Sequence, residues 1–255
     1  MLIATWNLNS VRVRLPRVTE WLSVIRPDVL CMQETKVVDA DFPHEPFEKL
    51  GYDVEVFGQK TYNGVAIASR LPMTDVTTGL PGDGPDDQKR VIEATIDGIR
   101  VVNLYVPNGR EPDSEPYVMK LEWLKRLRSH LDESCSSEDD VVVLGDINIT
   151  PEDRDVYDPE KLAGTIHVSE PEREALRHVM AFGFTDAFRL HHEESGLYSW
   201  WDFRAAMFRR GLGLRIDLIM VTDSLAKRCT MAEIDKMARA GEKPSDHAPV
   251  LAKFS

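Results

Sequence analysis

With 255 residues, 42% of them hydrophobic, the chain is long enough to bury a substantial core, as one large domain or two small ones. Its formal net charge of −12 excludes a protein that coats nucleic acid by general attraction to phosphate, though it leaves room for a local basic face. No apolar run approaches the roughly 20 residues that cross a bilayer, and the first residues lack the basic start of a signal peptide, so a soluble, cytoplasmic protein without membrane contact is expected.

In chain order, Leu2 to Trp6 reads as a short buried strand running into Asn7-Leu8-Asn9-Ser10. Val18, Trp21, Leu22 and Ile25 follow helical spacing, closed by Arg26-Pro27. Val29 to Met32 is the next apolar run and ends in Gln33-Glu34-Thr35-Lys36, a carboxylate where a strand runs out. Tyr52 to Phe57 and Val65 to Ser69 read as strands joined through a loop holding the turn signal Asn63-Gly64. Arg90 to Ile96 and Ile99 to Val106 flank Asp97-Gly98, a strong hairpin signature, and the second strand delivers Tyr105, Pro107, Asn108 and Gly109. Tyr117, Leu121, Leu124, Leu127 or Arg128, and Leu131 trace a long helix.

Val141 to Asn148 is the most informative stretch. An apolar, β-branched run reads as a strand buried on both faces, and such strands discharge their ligand-binding residues into a crevice at their carboxyl ends. Asp146 and Asn148, two apart, would share a face of extended chain and reach one small object, a metal ion or a phosphate oxygen. The polar-x-Asn pattern matches Asn7-Leu8-Asn9 and suggests two similar halves facing across one cleft.

Residues 150–168 are polar and turn-rich, a surface excursion; Ser169 with Glu172 forms a capping box, and Gly183 can stop that helix. Arg215 to Val221, with Asp217 among apolar neighbours, and Ala248 to Phe254, preceded by Ser245-Asp246-His247, complete the strands. Arg204, Arg209, Arg210 and Arg215 crowd one region. Cys31, Cys135 and Cys229 lack the close spacing of a zinc site and are expected as reduced, mostly buried thiols. No linker divides the chain, so residues 1–255 are read as one domain.

Asn7, Glu34, Tyr105, Asp146, Asn148, Asp217, Asp246 and His247 all fall at strand ends or in adjacent turns. Singly, each has a structural reading: a core aromatic for Tyr105, a backbone cap for Asp217, a packed imidazole for His247. Jointly, burying so many ionisable groups is costly unless a cation or phosphate compensates. The carboxylates are hard oxygen ligands of the kind Mg2+ takes, which points to phosphodiester hydrolysis. Glu34 would hold the cation, Asp146 would take the proton from an attacking water, and Asn148 would orient water or phosphate. His247 would donate to a non-bridging oxygen, with Asp217 fixing its tautomer, and Tyr105 would contact the phosphate.

The segments Thr5-Trp6-Asn7-Leu8-Asn9, Gln33-Glu34-Thr35-Lys36, Asn63-Gly64-Val65-Ala66, Tyr105-Val106-Pro107-Asn108-Gly109, Gly145-Asp146-Ile147-Asn148, Ser199-Trp200-Trp201-Asp202, Leu214-Arg215-Ile216-Asp217 and Ser245-Asp246-His247-Ala248-Pro249 stand in this order along the chain. In that order they resemble the exonuclease III family of apurinic/apyrimidinic endonucleases, within the endonuclease/exonuclease/phosphatase superfamily. The resemblance implies an α/β, four-layer sandwich of two mixed β-sheets packed face to face and flanked by helices. It implies Mg2+, replaceable by Mn2+, as one ion or two, with Asn7 and Glu34 matching one position and Asp146, Asn148, Asp246 and His247 the other, the last four as ligands in one state and catalysts in another. It also implies a monomer acting on duplex DNA in base excision repair: incision 5′ to abasic sites, 3′ to 5′ exonuclease action and cleaning of blocked 3′ ends. Trp200, Leu214 and Ile216 match the pocket for a flipped-out abasic sugar, and Lys36, Asn108 and Arg204 match further substrate contacts. Hydrolysis of another phosphate ester, such as an inositol phosphate or sphingomyelin, and silent DNA binding are the alternatives.

Overall fold

A computed structural model describes residues 1–83 and 87–255. In chain order its strands are β1 (Leu2–Asn7), β2 (Val29–Gln33), β3 (Asp53–Phe57), β4 (Val65–Ser69), β5 (Met73–Thr78), β6 (Val91–Ile96), β7 (Ile99–Tyr105), β8 (Val141–Asp146), β9 (Phe184–Asp186), β10 (Asp217–Thr222), β11 (Cys229–Ile234) and β12 (Val250–Phe254). The helices are α1 (Val11–Ile25), α2 (His44–Glu48), α3 (Glu115–Ser134), α4 (Pro159–Leu162), α5 (Glu170–Met180), α6 (Met207–Arg210) and α7 (Asp223–Ala226).

The strands form two six-stranded sheets, ordered β11-β12-β1-β2-β4-β3 and β5-β6-β7-β8-β10-β9. Each is mixed, with one parallel pair, β1 beside β2 and β7 beside β8. Side-chain alternation then builds the layers. Ile3, Cys31, Ile67, Ile92, Val142, Leu144 and Ile219 meet in the core between the sheets. The opposite faces of the same strands pack against helices: Ala4, Trp6, Leu30 and Met32 against Val18, Trp21 and Leu22 of α1, and Val141, Val143, Leu218 and Met220 against Leu124, Leu127 and Leu131 of α3 and Leu176 and Val179 of α5. This is the four-layer α/β sandwich that the family resemblance implied.

The two halves also match in order. β1-α1-β2 followed by the β4-β3 pair corresponds to β7-α3-β8 followed by the β10-β9 pair. The counterpart of β8 is therefore β2, and Glu34, just beyond β2, is the topological partner of Asp146. The likeness of Asn7-Leu8-Asn9 to Asp146-Ile147-Asn148 has a local cause instead. In both, the first side chain accepts the backbone N–H two residues on, at 2.9 Å for Asn9 and 3.0 Å for Asn148. Both second asparagines are left-handed, with φ of 47° and 55°. Asp146 and Asn148 thus meet through a turn and not by sharing a face of extended chain.

Several boundaries differ from the sequence reading for physical reasons. β5, β9 and β11 are short or largely exposed strands at or near sheet edges, with no apolar run to announce them. α1 begins at Val11 and runs through Pro16. On α3 the buried stripe is Tyr117, Lys120, Leu124, Leu127 and Leu131, so a lysine takes the place that spacing gave to Leu121. Cys31 is buried, whereas Cys135 and Cys229 are only partly so; all three are free thiols. Gly145 is required where β8 passes β7: a Cβ there would lie 1.8 Å from the carbonyl oxygen of Leu104.

Candidate active site

Loops leaving the ends of the central strands of both sheets converge on one cluster. Asn7 ends β1 and is fully buried; its Nδ2 donates to Glu34 Oε1 and to Asp146 Oδ2, both at 2.9 Å, and so ties the two sheets together. Its Oδ1 is occupied by the Asn9 N–H, so Asn7 bridges carboxylates here. Glu34 sits in a left-handed turn at φ 50° and is also held by Lys36 Nζ at 2.7 Å, which donates in turn to Asn9 Oδ1 at 2.5 Å.

Oxygens of Glu34 and Asp146 and a ring nitrogen of His247 lie within 4.8 Å of one another. Two hard carboxylate donors from different sheets, beside an amide and a buried imidazole, form a donor set suited to Mg2+ or Mn2+. Asp246 is not part of this trio: its oxygens accept from Asn9 Nδ2 at 3.0 Å and Trp200 Nε1 at 3.1 Å.

His247 is sandwiched between acids. Both oxygens of Asp217 lie 2.9 and 3.0 Å from Nδ1, and Nε2 is 3.7 Å from Asp146 Oδ2. Asp217 is itself fixed by Ser199, whose hydroxyl donates to Oδ2 at 2.6 Å and accepts the backbone N–H groups of Ile216 and Asp217 at 3.1 Å. Burial disfavours charge on the imidazole, but Asp217 and then Asp146 override it and raise the His247 pKa to about 10. Burial also raises Asp146, opposed by His247 and by the Asn7 hydrogen bond. The proton between them therefore resides on His247.

Tyr105 closes the cluster from β7. Burial, then the nearby charges of Glu34 and Asp146, push its phenol well above the ordinary tyrosine range, so it holds its proton. Arg90 packs over its ring at 4.6 Å and donates to its carbonyl at 3.0 Å. On the other side, Asn148 Nδ2 donates to the Val106 carbonyl at 2.9 Å and its Oδ1 accepts from the exposed Asn108 at 3.3 Å.

Trp200 and Leu214 pair through their backbones, with the Trp200 ring 6.5 Å from that of His247. Leu214 and Ile216 are almost fully buried, packed with Val156 and Val168 against Trp200, so of Leu214, Ile216 and Trp200 only Trp200 is accessible, and they form a packed cluster with Trp200 at its surface. Arg204 is not joined to the cluster; it is highly exposed and paired with Asp202 at 2.5 Å. Arg209 and Arg210 are exposed on the same segment, but Arg215 leaves the basic group altogether. Its guanidinium is buried on Asp155 at 2.6 Å and Asp186 at 2.7 Å, and Arg189 also pairs with Asp155, which anchors residues 150–168 to the sheet.

Sequence reasoning missed His167. Although it lies in the polar excursion, it is 8% exposed, its ring 6.4 Å from Trp200. Burial, then Lys120, holds its pKa down at about 3, so it is neutral; Nδ1 donates to the Asn148 carbonyl at 2.6 Å and Nε2 accepts from Asn108 at 3.4 Å. Asn9, Ser199 and Lys120 were also not singled out as site residues; Asn9 and Ser199 lie inside segments that carry the family resemblance, whereas Lys120 acts through a tertiary contact that no local motif signals.

Residues 4–247 match the Endonuclease/Exonuclease/phosphatase family. The chain belongs to this family. It is 34% identical to the exodeoxyribonuclease III of Haemophilus influenzae, with 100% of each chain covered. Among solved structures, this family member is similar to a 3′ phosphatase from Neisseria bound to product DNA hairpin, at 44% identity and TM-score 0.96, covering 100% of this chain and 99% of that one. It is likewise similar to an AP endonuclease from Archaeoglobus fulgidus, at 43% identity and TM-score 0.96, with the same coverage.

Proposed function

We propose that this chain, as one catalytic domain spanning residues 1–255 and acting as a monomer, hydrolyses phosphodiesters of duplex DNA in base excision repair, with Mg2+ as its cofactor and Mn2+ as a substitute. It is a DNA-repair nuclease. The observation that carries the reading is the convergence of Glu34, Asp146 and His247 within 4.8 Å, where loops from two sheets meet. Glu34 and Asp146, with Asn7, Asn148 and Asp246 around them, would hold the cation; His247 would join them as a ligand only in a second state, with its ring uncharged. When bound, the cation supplies Lewis-acid stabilisation of charge on the phosphate and the leaving oxygen.

The protein's own groups divide the remaining work. Asp146 takes a proton from the attacking water. His247, kept charged by Asp217, donates from Nε2 to a non-bridging phosphate oxygen. The neutral phenol of Tyr105 donates to the same phosphate. Asn148 orients water or phosphate while Asn108 and Lys36 contact the strand. Trp200, with Leu214 and Ile216 behind it, offers an apolar face to a sugar that carries no base. Arg204, Arg209 and Arg210 form an exposed basic strip suited to backbone phosphates despite the net charge of −12.

Removal of nucleotides and blocking groups from 3′ ends is the first activity proposed, supported by the kinship with an exodeoxyribonuclease III and a 3′ phosphatase. Incision 5′ to abasic sites is the second, supported by the kinship with an AP endonuclease. Inositol phosphate or sphingomyelin hydrolysis has no counterpart in these relatives, and silent DNA binding would not require the complete set of catalytic groups. The test is a set of three labelled duplexes in Mg2+, carrying a recessed 3′ end, a 3′-phosphate or a single tetrahydrofuran. Shortening, dephosphorylation and a single 5′ incision are the expected products; three intact strands would refute the reading.

A further inference from the structure

The geometry points to a buried pair, Lys120 and Glu172, as positioning residues for the asparagine side of the active site. This deepens the reading above, since it rests on Asn148 orienting water or phosphate beside Asn108.

Lys120 projects inward from α3 and Glu172 from the first turn of α5; both side chains are fully buried, with Nζ 2.5 Å from Oε1. The ammonium also donates to the main-chain oxygens of Asn148 at 2.7 Å and Asn108 at 3.2 Å. Three N–H donors thus meet three acceptors, two of them belonging to residues of the active site. Glu172 is equally occupied: Oε1 accepts the His167 N–H at 3.1 Å, and Oε2 accepts the Ser169 hydroxyl at 2.6 Å. The capping box is therefore also the anchor of a path into the site.

That path closes on itself. The carbonyl that Lys120 holds on Asn148 also accepts His167 Nδ1 at 2.6 Å, while His167 Nε2 faces Asn108 Nδ2 at 3.4 Å. Asn148 sits in a left-handed turn, with φ of 55°, that an asparagine adopts readily, so what Lys120 and His167 fix is the placement of this turn and not its conformation. An ion pair in a dry interior is not a cheap source of stability, since apolar residues of similar shape often serve as well. What it provides here is three charge-assisted donors at one point, which apolar residues cannot offer.

Lys120→Met combined with Glu172→Gln removes both charges together and so avoids a lone buried carboxylate. On a recessed 3′ end in Mg2+, kcat is expected to fall about tenfold with KM within about twofold, because orientation is lost and not strand binding. The 15N resonances of His167, which in the wild type should report the Nδ1–H tautomer, are expected to move toward tautomer exchange. A folded double variant with wild-type kcat and an unchanged His167 signature overturns the proposal, as does a loss of kcat that tracks only loss of folded protein. If the double variant does not fold, Glu172→Gln alone is read in the same way, with unchanged kcat and tautomer as the contrary result. Inactivity of the wild-type chain would strike the nuclease reading, whereas the tautomer signature decides the positioning claim by itself.

Discussion

Asp217 presents both carboxylate oxygens to His247 Nδ1, at 2.9 and 3.0 Å, and so leaves Nε2 as the working atom of the ring. Because Ser199 fixes Asp217 in turn, the imidazole has one orientation and one charge state across neutral pH. Asp217→Asn should therefore lower kcat by roughly 10²-fold and move the alkaline limb of the pH–rate profile to lower pH. A pH–rate profile superimposable on the wild type would contradict this role.

The same interaction sets a sign for stability. His247 has a pKa of about 10 in the folded protein, above its unfolded value of about 6.5. Its contribution is fully present below about pH 6.5 and is lost as pH rises through about 10. Thermal melts from pH 6 to pH 10 should show the wild type losing stability more steeply than Asp217→Asn, with the two converging at the alkaline end.

Asp146→Asn preserves shape and the hydrogen bond that turns the chain toward Asn148, but it removes the proposed base. Hydrolysis should fall by about 10³-fold or more while the Kd for duplex DNA stays within about threefold. Cleavage at the wild-type rate would show that another group takes the proton.

Tyr105→Phe removes a phenol that keeps its proton under all assay conditions. About a tenfold loss of kcat is expected, without a shift in the pH profile, because the group donates a hydrogen bond and does not titrate. A changed pH profile would instead make Tyr105 an acid–base residue.

Arg215 carries a separate, structural prediction. It is 1% exposed between Asp155 and Asp186, so Arg215→Met takes from buried Asp186 its ion-pair partner and leaves Asp155 with Arg189 alone. The cost should be about 3–5 kcal/mol, or a fall in Tm of roughly 10 °C. Activity below that temperature should fall less than stability does, as measured by melting curves beside initial rates.

The residues legible in the sequence were those a strand delivers to its own end. Glu34, Asp146 and Tyr105 follow apolar runs, and His247 precedes one, so position along the chain implies position in the cleft. The individual central strands and helices were legible for the same reason, through buried β-branched runs and helical stripes, whereas the four-layer sandwich came from the family resemblance. What stayed hidden depends on contacts between distant segments. Lys120 looks like a solvated helix residue until α5 packs over it, and His167 lies in a turn-rich stretch with no local sign that it enters the site. Arg215 was read as part of a basic surface because its partners, Asp155 and Asp186, are remote in sequence. The edge strands β5 and β11 lacked a pattern because only one neighbour and little burial constrain them.

The central claim is that carboxylates from two sheets grip one divalent cation to cleave DNA. It is tested most directly by single-turnover shortening of a recessed 3′ end across a Mg2+ titration, comparing the wild type with Glu34→Gln and with an EDTA control. No cleavage in EDTA, full cleavage on restoring Mg2+, and at least about a tenfold higher Mg2+ requirement for Glu34→Gln are predicted. Cleavage that persists in EDTA, or a variant whose Mg2+ dependence overlays the wild type, would contradict it.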